Sequence, residues 1–253
     1  MELRSIAGKN VSNLTVEEAK EYIKEIEDSG IKVWSIGSPL GKTDITVDMD
    51  KYTEKVKHVC ALANCFHTDK IRVFSFFNAY GEKNRVIDNL GRMMETAREF
   101  GVELYHENEK EIYGDVAGRV LELKQNLPQL RLVYDPANYV QTGENLHNCL
   151  ELLHDRSDYF HIKDVISATG ELVPAGMGDG LLPELVERIK DDKVLSVEPH
   201  LAVFGAYSDI DKSEMKHKFS FKSNGEAFDA AVNGLKALLE QAGYREKGGV
   251  YEK

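Results

Sequence analysis

Short apolar segments that end in an acidic residue or a histidine recur along this chain, and segments with helical periodicity separate them. The four clearest of these segments end at Glu107, Asp135, His161 and Glu198. Short apolar runs are typical of buried strands, and strands that alternate with helices build a parallel sheet. In a parallel barrel the carboxyl ends of the strands surround one mouth, so these four side chains are predicted to converge.

The alternation of strands and helices predicts about seven βα units in a chain of 253 residues. We therefore expect one α/β domain over residues 1–253, built as a TIM (β/α) barrel. Such a barrel ordinarily has eight strands, and the chain opens inside what resembles a second strand, so the usual first βα unit is expected to be absent. The open sheet edge that would result favours a homo-oligomer.

Local signals predict where several elements begin and end. A helix is expected over about Met49–Cys65 and a strand over Tyr159–Ile162, with a loop after that strand and a polar loop near residues 207–223. Thr15 followed by Glu18 forms a capping box that starts the first helix. The final helix is predicted to turn Phe228 toward the core. The glycine-rich segment 174–180 lacks the context of a dinucleotide-binding fingerprint and is interpreted as a flexible substrate loop. The tail from Arg245 onward is predicted to fray.

Composition excludes some classes of function. The formal net charge is −11, whereas a protein that binds the phosphate backbone usually presents a basic face, so we expect no nucleic-acid partner. No apolar run approaches the roughly 20 residues that span a bilayer, so we expect no membrane partner. Three scattered cysteines, Cys60, Cys65 and Cys149, indicate reduced thiols and a cytoplasmic location.

The four strand-end residues have the chemistry of a metal site. Three carboxylates and one imidazole suit a single Mn²⁺, Mg²⁺ or Zn²⁺ ion, although each residue taken alone could equally serve in an ion pair or a helix cap. Glu107 and Glu198 could act as base and acid on a bound sugar. A divalent cation beside them would stabilise an enediolate, so the pattern predicts proton transfer next to a carbonyl.

Other polar residues near the strand ends are candidates for substrate contact. They are Asn138, which is expected on the outgoing loop three residues after Asp135, and Lys163, His200, Ser38 and Lys42. An ion pair with Asp164 or another neighbour is the alternative role for Lys163, and a purely local loop role is the alternative for Ser38 and Lys42. His106 is predicted to face the other side of its strand and to serve in packing.

Five motifs together resemble the xylose isomerase-like TIM-barrel superfamily, and in particular its sugar phosphate isomerase/epimerase branch. They are HEN at 106–108, DPAN at 135–138, HIKD at 161–164, GMGDG at 176–180 and VEPH at 197–200. The resemblance covers nearly the whole chain. It implies that Glu107, Asp135, His161 and Glu198 bind the metal, and that the two glutamates also exchange the proton.

The sequence departs from the family pattern in ways that leave the substrate open. The ketose 3-epimerases carry a histidine where this chain has Asn138, and the DNA-repair endonuclease branch needs additional ligands that this chain lacks. The main hypothesis is a sugar or sugar-phosphate isomerase or epimerase. The alternatives are a dehydratase or lyase that acts on an inositol-derived ketone, and a non-catalytic relative that binds a sugar.

Overall fold

A computed structural model describes residues 1–198, 200–201 and 221–253 of the chain. The chain divides into two compact units, Met1–Val133 and Tyr134–Lys253. The expectation of a single domain over residues 1–253 stays a prediction. The predicted polar loop near residues 207–223 lies mostly outside the described residues.

The main sheet of the described residues has seven strands in chain order. They are β1 (Glu2–Leu3), β2 (Ser35–Gly37), β3 (Lys70–Val73), β4 (Glu103–Glu107), β5 (Arg131–Tyr134), β6 (Tyr159–Ile162) and β7 (Val194–Val197). The helices are α1 (Val16–Asp28), α2 (Met49–Cys65), α3 (Lys83–Glu99), α4 (Ala117–Asn126), α5 (Pro136–Gln141), α6 (Leu146–Leu153), α7 (Leu182–Glu187) and α8 (Asn224–Gln241). This order of parallel strands and intervening helices is consistent with a TIM barrel and confirms the predicted fold class.

The first unit builds its core from buried strands and the apolar faces of its helices. Thr15 caps α1 through the predicted capping box, in which its side chain accepts from the Glu18 N–H. β4 pairs in parallel with β3 and with β5, and its last residue, Glu107, lies opposite Val133 in the register. This register brings the end of β4 beside the end of β5.

The second unit contains the parallel pair of β6 and β7, in which His161 lies opposite Ser196. Directly after β6, Asp164–Ile166 and Glu171–Val173 form a short antiparallel pair, where the sequence predicted only a loop. Helix α5 follows Asp135 at once, which corrects the prediction that Asn138 lies on an outgoing loop.

Two further sequence expectations are wrong. Phe228 is 51% exposed, and the buried residues of α8 include Ala227, Ala231 and Leu235 instead. The tail does not fray: Arg245–Lys247 and Val250–Glu252 pair as an antiparallel hairpin. Among the described residues, no helix combines the length and the apolar character needed to cross a membrane.

Candidate metal centre

Glu107 ends β4 in the first unit, and its side chain is buried against a cation. The Arg72 guanidinium on β3 places Nη1 3.1 Å from Glu107 Oε2 and 3.1 Å from Glu2 Oε1. The side chains of Arg72, Glu2 and Glu107 are 4%, 8% and 3% exposed, so bulk water screens these charges little. Ser35 Oγ donates to the second Glu2 oxygen at 3.1 Å. Glu107 is therefore part of a buried network of charged groups.

A second ion pair lies near this network. The Lys42 ammonium is 2.9 Å from Glu109 Oε2 and lies 4.4 Å from the centroid of the Phe74 ring. The Arg72 guanidinium also contacts Phe74, at 5.0 Å from the centroid. The Ser38 hydroxyl is buried and donates to the backbone carbonyl of Arg72 at 2.6 Å. Lys42 and Ser38 thus have structural partners in the first unit, and their predicted substrate contacts stay predictions.

His106 has the packing role that its place in the strand predicted. It is fully buried, and its Nε2 lies 2.9 Å from Ser75 Oγ. Burial lowers the pKa of His106 to about 4, because the charged imidazolium would lose its hydration. A side chain at Gly114 would place its Cβ 2.4 Å from His106 Cε1, so glycine is required at that close approach.

Three of the predicted ligands lie in the second unit. Asp135 follows β5 and caps α5, where its Oδ1 accepts from the Asn138 N–H at 3.1 Å. His161 lies on β6 and is fully buried, and Glu198 follows β7 directly. One ligand atom of each of these three residues lies within 4.8 Å of the others. The cluster is therefore a buried acidic and histidine group that could bind a metal.

The donor set fits a single divalent ion. Oxygen and nitrogen ligands of such ions lie about 2.0–2.2 Å from the metal, so two opposite donors are about 4.4 Å apart. The observed limit of 4.8 Å would need only a small contraction to reach that spacing. Carboxylates and imidazole are ligands that Mg²⁺, Mn²⁺ and Zn²⁺ accept.

Lys163 lies among the ligands of the second unit. Its ammonium is 2.6 Å from Asp135 Oδ2, 3.2 Å from Glu198 Oε2 and 3.0 Å from Asn138 Oδ1. His200 Nε2 lies 3.6 Å from the same Glu198 oxygen. Asn138, Lys163 and His200 thus all contact metal-ligand candidates, which places these three predicted substrate residues at one site of the second unit. Lys163 forms ion pairs with Asp135 and Glu198. The sequence analysis had given an ion pair with Asp164 as one alternative.

Asp164 instead holds the glycine-rich segment. Its carboxylate accepts from the backbone N–H groups of Val165, Gly176, Gly178 and Gly180 at 2.9–3.0 Å. Burial raises the pKa of Asp164, against the opposite effect of these hydrogen bonds. A Cβ at Gly178 would lie 2.5 Å from Asp164 Oδ1. These glycines therefore let the backbone approach a carboxylate, a role that the interpretation as a flexible loop missed.

Sequence reasoning also missed Arg72 and Glu2. A signal for Arg72 was present, because it is a charged residue inside the apolar run of β3, between Ile71 and Val73. A charged side chain is rarely buried unless it is paired. The ion-pair partner could not be identified from this local segment, since Glu2 is 70 positions away in the sequence.

The fold and the buried donor cluster define the class of protein: a TIM barrel with a candidate metal site. The chain matches the family model of the xylose isomerase-like TIM barrel over residues 2–242, and it belongs to that family. No curated protein sequence matches the chain.

Solved structures share this fold at low sequence identity. L-ribulose 3-epimerase is 19% identical, with a TM-score of 0.66 over 88% of this chain and 80% of that one. The probable 3-DHS dehydratase AsbF of Bacillus anthracis is 16% identical, with a TM-score of 0.63 over 87% and 81%. A Mycobacterium smegmatis protein in complex with magnesium is 14% identical, with a TM-score of 0.65 over 92% and 81%. At these identities the likeness concerns the fold alone.

Proposed function

We propose that this protein is a divalent-metal-dependent sugar or sugar-phosphate isomerase or epimerase of carbohydrate metabolism. The observation that carries the proposal is the group of three donors, Asp135, His161 and Glu198, with ligand atoms within 4.8 Å of one another, and we propose Glu107 as the fourth donor. We assign these residues as the ligands of one Mn²⁺, Mg²⁺ or Zn²⁺ ion. The three free cysteines accord with a cytoplasmic location.

The proposed chemistry is proton transfer at the carbon next to a carbonyl. When bound, the ion would polarise that carbonyl and stabilise the negative charge that forms on its oxygen. Glu107 and Glu198 would remove and return the proton. The Glu198 side chain is 15% exposed and that of Glu107 is 3% exposed, so the two carboxylates are placed differently with respect to solvent.

The remaining predicted residues would bind the substrate. Lys163 and Asn138 offer an ammonium and an amide beside the ligands, where sugar hydroxyl groups could accept and donate hydrogen bonds. His200 contacts Glu198 and would lie beside the same substrate. Ser38 and Lys42 are proposed to extend the substrate contacts from the first unit.

A dehydratase or lyase is the second candidate. The fold likeness to a probable 3-DHS dehydratase supports it, because the same proton removal followed by loss of a hydroxyl group would make a dehydratase. The two candidates differ in product: an epimerase returns the proton to the carbon, whereas a dehydratase releases water.

Exchange of substrate hydrogen with solvent deuterium tests both candidates through their common first step. The purified full chain, loaded with Mn²⁺, would be incubated in D₂O with a panel of ketoses and inosose-like ketones and then freed of Mn²⁺. We expect NMR to show loss of one C–H signal next to the carbonyl with the wild type and no loss with Glu198→Gln. Glu103→Gln is the matched control, since Glu103 is a half-exposed carboxylate at the other end of β4.

The product of the reaction distinguishes the candidate functions. Exchange with an epimer or isomer as product supports the main proposal, and exchange with elimination of water supports the dehydratase. A wild type that binds Mn²⁺ but exchanges nothing across the panel would favour a non-catalytic sugar-binding protein. Retention of most of the exchange in Glu198→Gln would refute the role of Glu198.

A further inference from the structure

The buried guanidinium of Arg72 is the feature of the first unit that the proposed chemistry does not use. Arg72 lies on β3 between two apolar residues, and its side chain is 4% exposed. Removing a guanidinium from water is costly, and its partners offset this cost only if their geometry is good. A buried ion pair is weak evidence for stability, because apolar residues in place of all its members are often equally stable, so the network of Arg72, Glu2 and Glu107 calls for a reason beyond packing.

The surroundings fix the guanidinium on more than one side. One oxygen of Glu2 lies 3.1 Å from Arg72 Nη1, and the other accepts a hydrogen bond from Ser35. Gly37 leaves the room that Glu2 needs, since a Cβ there would lie 3.0 Å from Glu2 Oε1. The Phe74 ring stacks against the same guanidinium. Glu2 thus acts as an anchor that holds Arg72 in place.

The other contact of Arg72 goes to a proposed metal ligand. The Nη1 atom of Arg72 lies 3.1 Å from Glu107 Oε2 and equally 3.1 Å from the anchor, Glu2. Nη1 thus lies between the two carboxylates, and a guanidinium that Glu2 and Phe74 keep in place also limits where the contacted Glu107 oxygen can lie. A residue that is not itself one of the four donors therefore constrains one oxygen of the Glu107 carboxylate.

We infer that Arg72 is a positioning residue, which orients the Glu107 carboxylate for metal binding, with Glu2 as its anchor. This inference rests on the proposed function, because it takes Glu107 to be a ligand. Groups that orient the ligands of a metal typically change its affinity 10–100-fold when they are removed. The rival explanation is that Arg72 only neutralises buried charge and stabilises the fold.

The substitution Arg72→Lys separates the two explanations. A lysine keeps the positive charge, but its ammonium is a point charge on a flexible stem and lacks the fork. If charge alone matters, the variant should bind metal as the wild type does. If orientation matters, the affinity should fall although the charge is kept.

The experiment is a titration of the metal-free full chain with Mn²⁺ by calorimetry, for the wild type, Arg72→Lys and Arg131→Met. Arg131 is the control, because it also pairs with a glutamate of β4 at 3.1 Å. That partner, Glu103, lies at the opposite end of β4 from Glu107, and the Arg131 side chain is 41% exposed. We expect about 10–100-fold weaker Mn²⁺ binding in Arg72→Lys and no change in Arg131→Met. Visible absorption with Co²⁺ should also change in Arg72→Lys, because the spectrum reports ligand geometry.

Circular dichroism and urea unfolding would establish that each variant is folded. If Arg72→Lys does not fold, Glu2→Gln takes its place, since it loosens the anchor and leaves both Arg72 and Glu107; the same loss of affinity is then expected. A folded Arg72→Lys with wild-type affinity and an unchanged Co²⁺ spectrum would overturn the inference and leave the proposed function intact. A wild type that binds no divalent ion would overturn the proposed function and this inference with it.

Discussion

The two units surround their buried carboxylates with different cations. In the first unit, the Arg72 guanidinium holds Glu107 and is itself held by Glu2 and by Phe74. In the second unit, the Lys163 ammonium contacts Asp135 and Glu198 at 2.6 and 3.2 Å. Arginine offers a planar, permanently charged fork, whereas lysine offers a compact charge with three rotatable donors.

The difference indicates how each carboxylate can respond to a ligand. Glu107 is paired with a cation that has a second carboxylate partner and lies over the Phe74 ring, so by our inference its position changes little when a metal binds. Lys163 shares one ammonium among two carboxylates and the Asn138 amide, so its bonds can redistribute as a metal or substrate arrives. The first unit would then supply a rigid ligand, and the second an adjustable group.

The largest effect is expected from removal of the lysine. Loss of one partner from a buried ion pair costs about 3–5 kcal/mol, so Lys163→Met should lower the free energy of unfolding by that order, because Asp135 is fully buried. Saturating Mn²⁺ should restore more stability to this variant than it adds to the wild type, since a cation would again face Asp135. Urea unfolding with and without Mn²⁺ measures both.

Lys190→Met is the control for that experiment, because Lys190 is 78% exposed and pairs with Asp155 at 3.6 Å. It should unfold like the wild type. A Lys163→Met variant as stable as this control would show that the lysine does not compensate the buried charge of Asp135.

An intermediate effect on the free energy of unfolding is expected near Asp164, whose carboxylate accepts hydrogen bonds from backbone amides. Gly178→Ala would bring a Cβ to 2.5 Å from Asp164 Oδ1 and 2.6 Å from the Val165 carbonyl oxygen. The segment would have to shift, and hydrogen bonds to a charged group are worth about 1.5–3 kcal/mol each. Thermal and urea unfolding should show a loss of about that size.

Gly118→Ala in helix α4 provides the comparison for this loss, since nothing lies within 4 Å of a Cβ placed there. Alanine should stabilise that helix by about 0.5–1 kcal/mol. Equal effects at the two glycines would mean that Asp164 does not depend on the close approach of the backbone.

The smallest effect is expected at the more exposed pair of the first unit. The Lys42 and Glu109 side chains are 25% and 18% exposed, so solvent screens their attraction more than that of Arg72 and Glu107. Lys42→Met should cost less than about 1 kcal/mol in urea unfolding. A loss as large as that expected for Lys163→Met would erase the distinction between buried and exposed pairs in this protein.

Local sequence patterns were sufficient for the order of the strands of the main sheet and of most helices, although they missed α5 and the two antiparallel pairs. Helix α2 was predicted over Met49–Cys65 and strand β6 over Tyr159–Ile162, and the structure has both with those bounds. The periodicity of α8 predicted the wrong side chain in the core. Phe228 fits the apolar stripe by spacing but is half exposed, because the helix turns its alanines inward. A hydrophobic period specifies which residues share a face and does not specify what covers that face.

The sequence by itself determined the alternation of strands and helices, and the acidic and histidine residues at the strand ends, because both are local patterns along the chain. Only the tertiary structure decided which cation each carboxylate meets. Strand register and packing bring Glu2 to Arg72 and Asp164 to the three glycines across separations that no local pattern encodes. Partner choice among like-charged candidates depends on distance and burial, and these are properties of the folded chain.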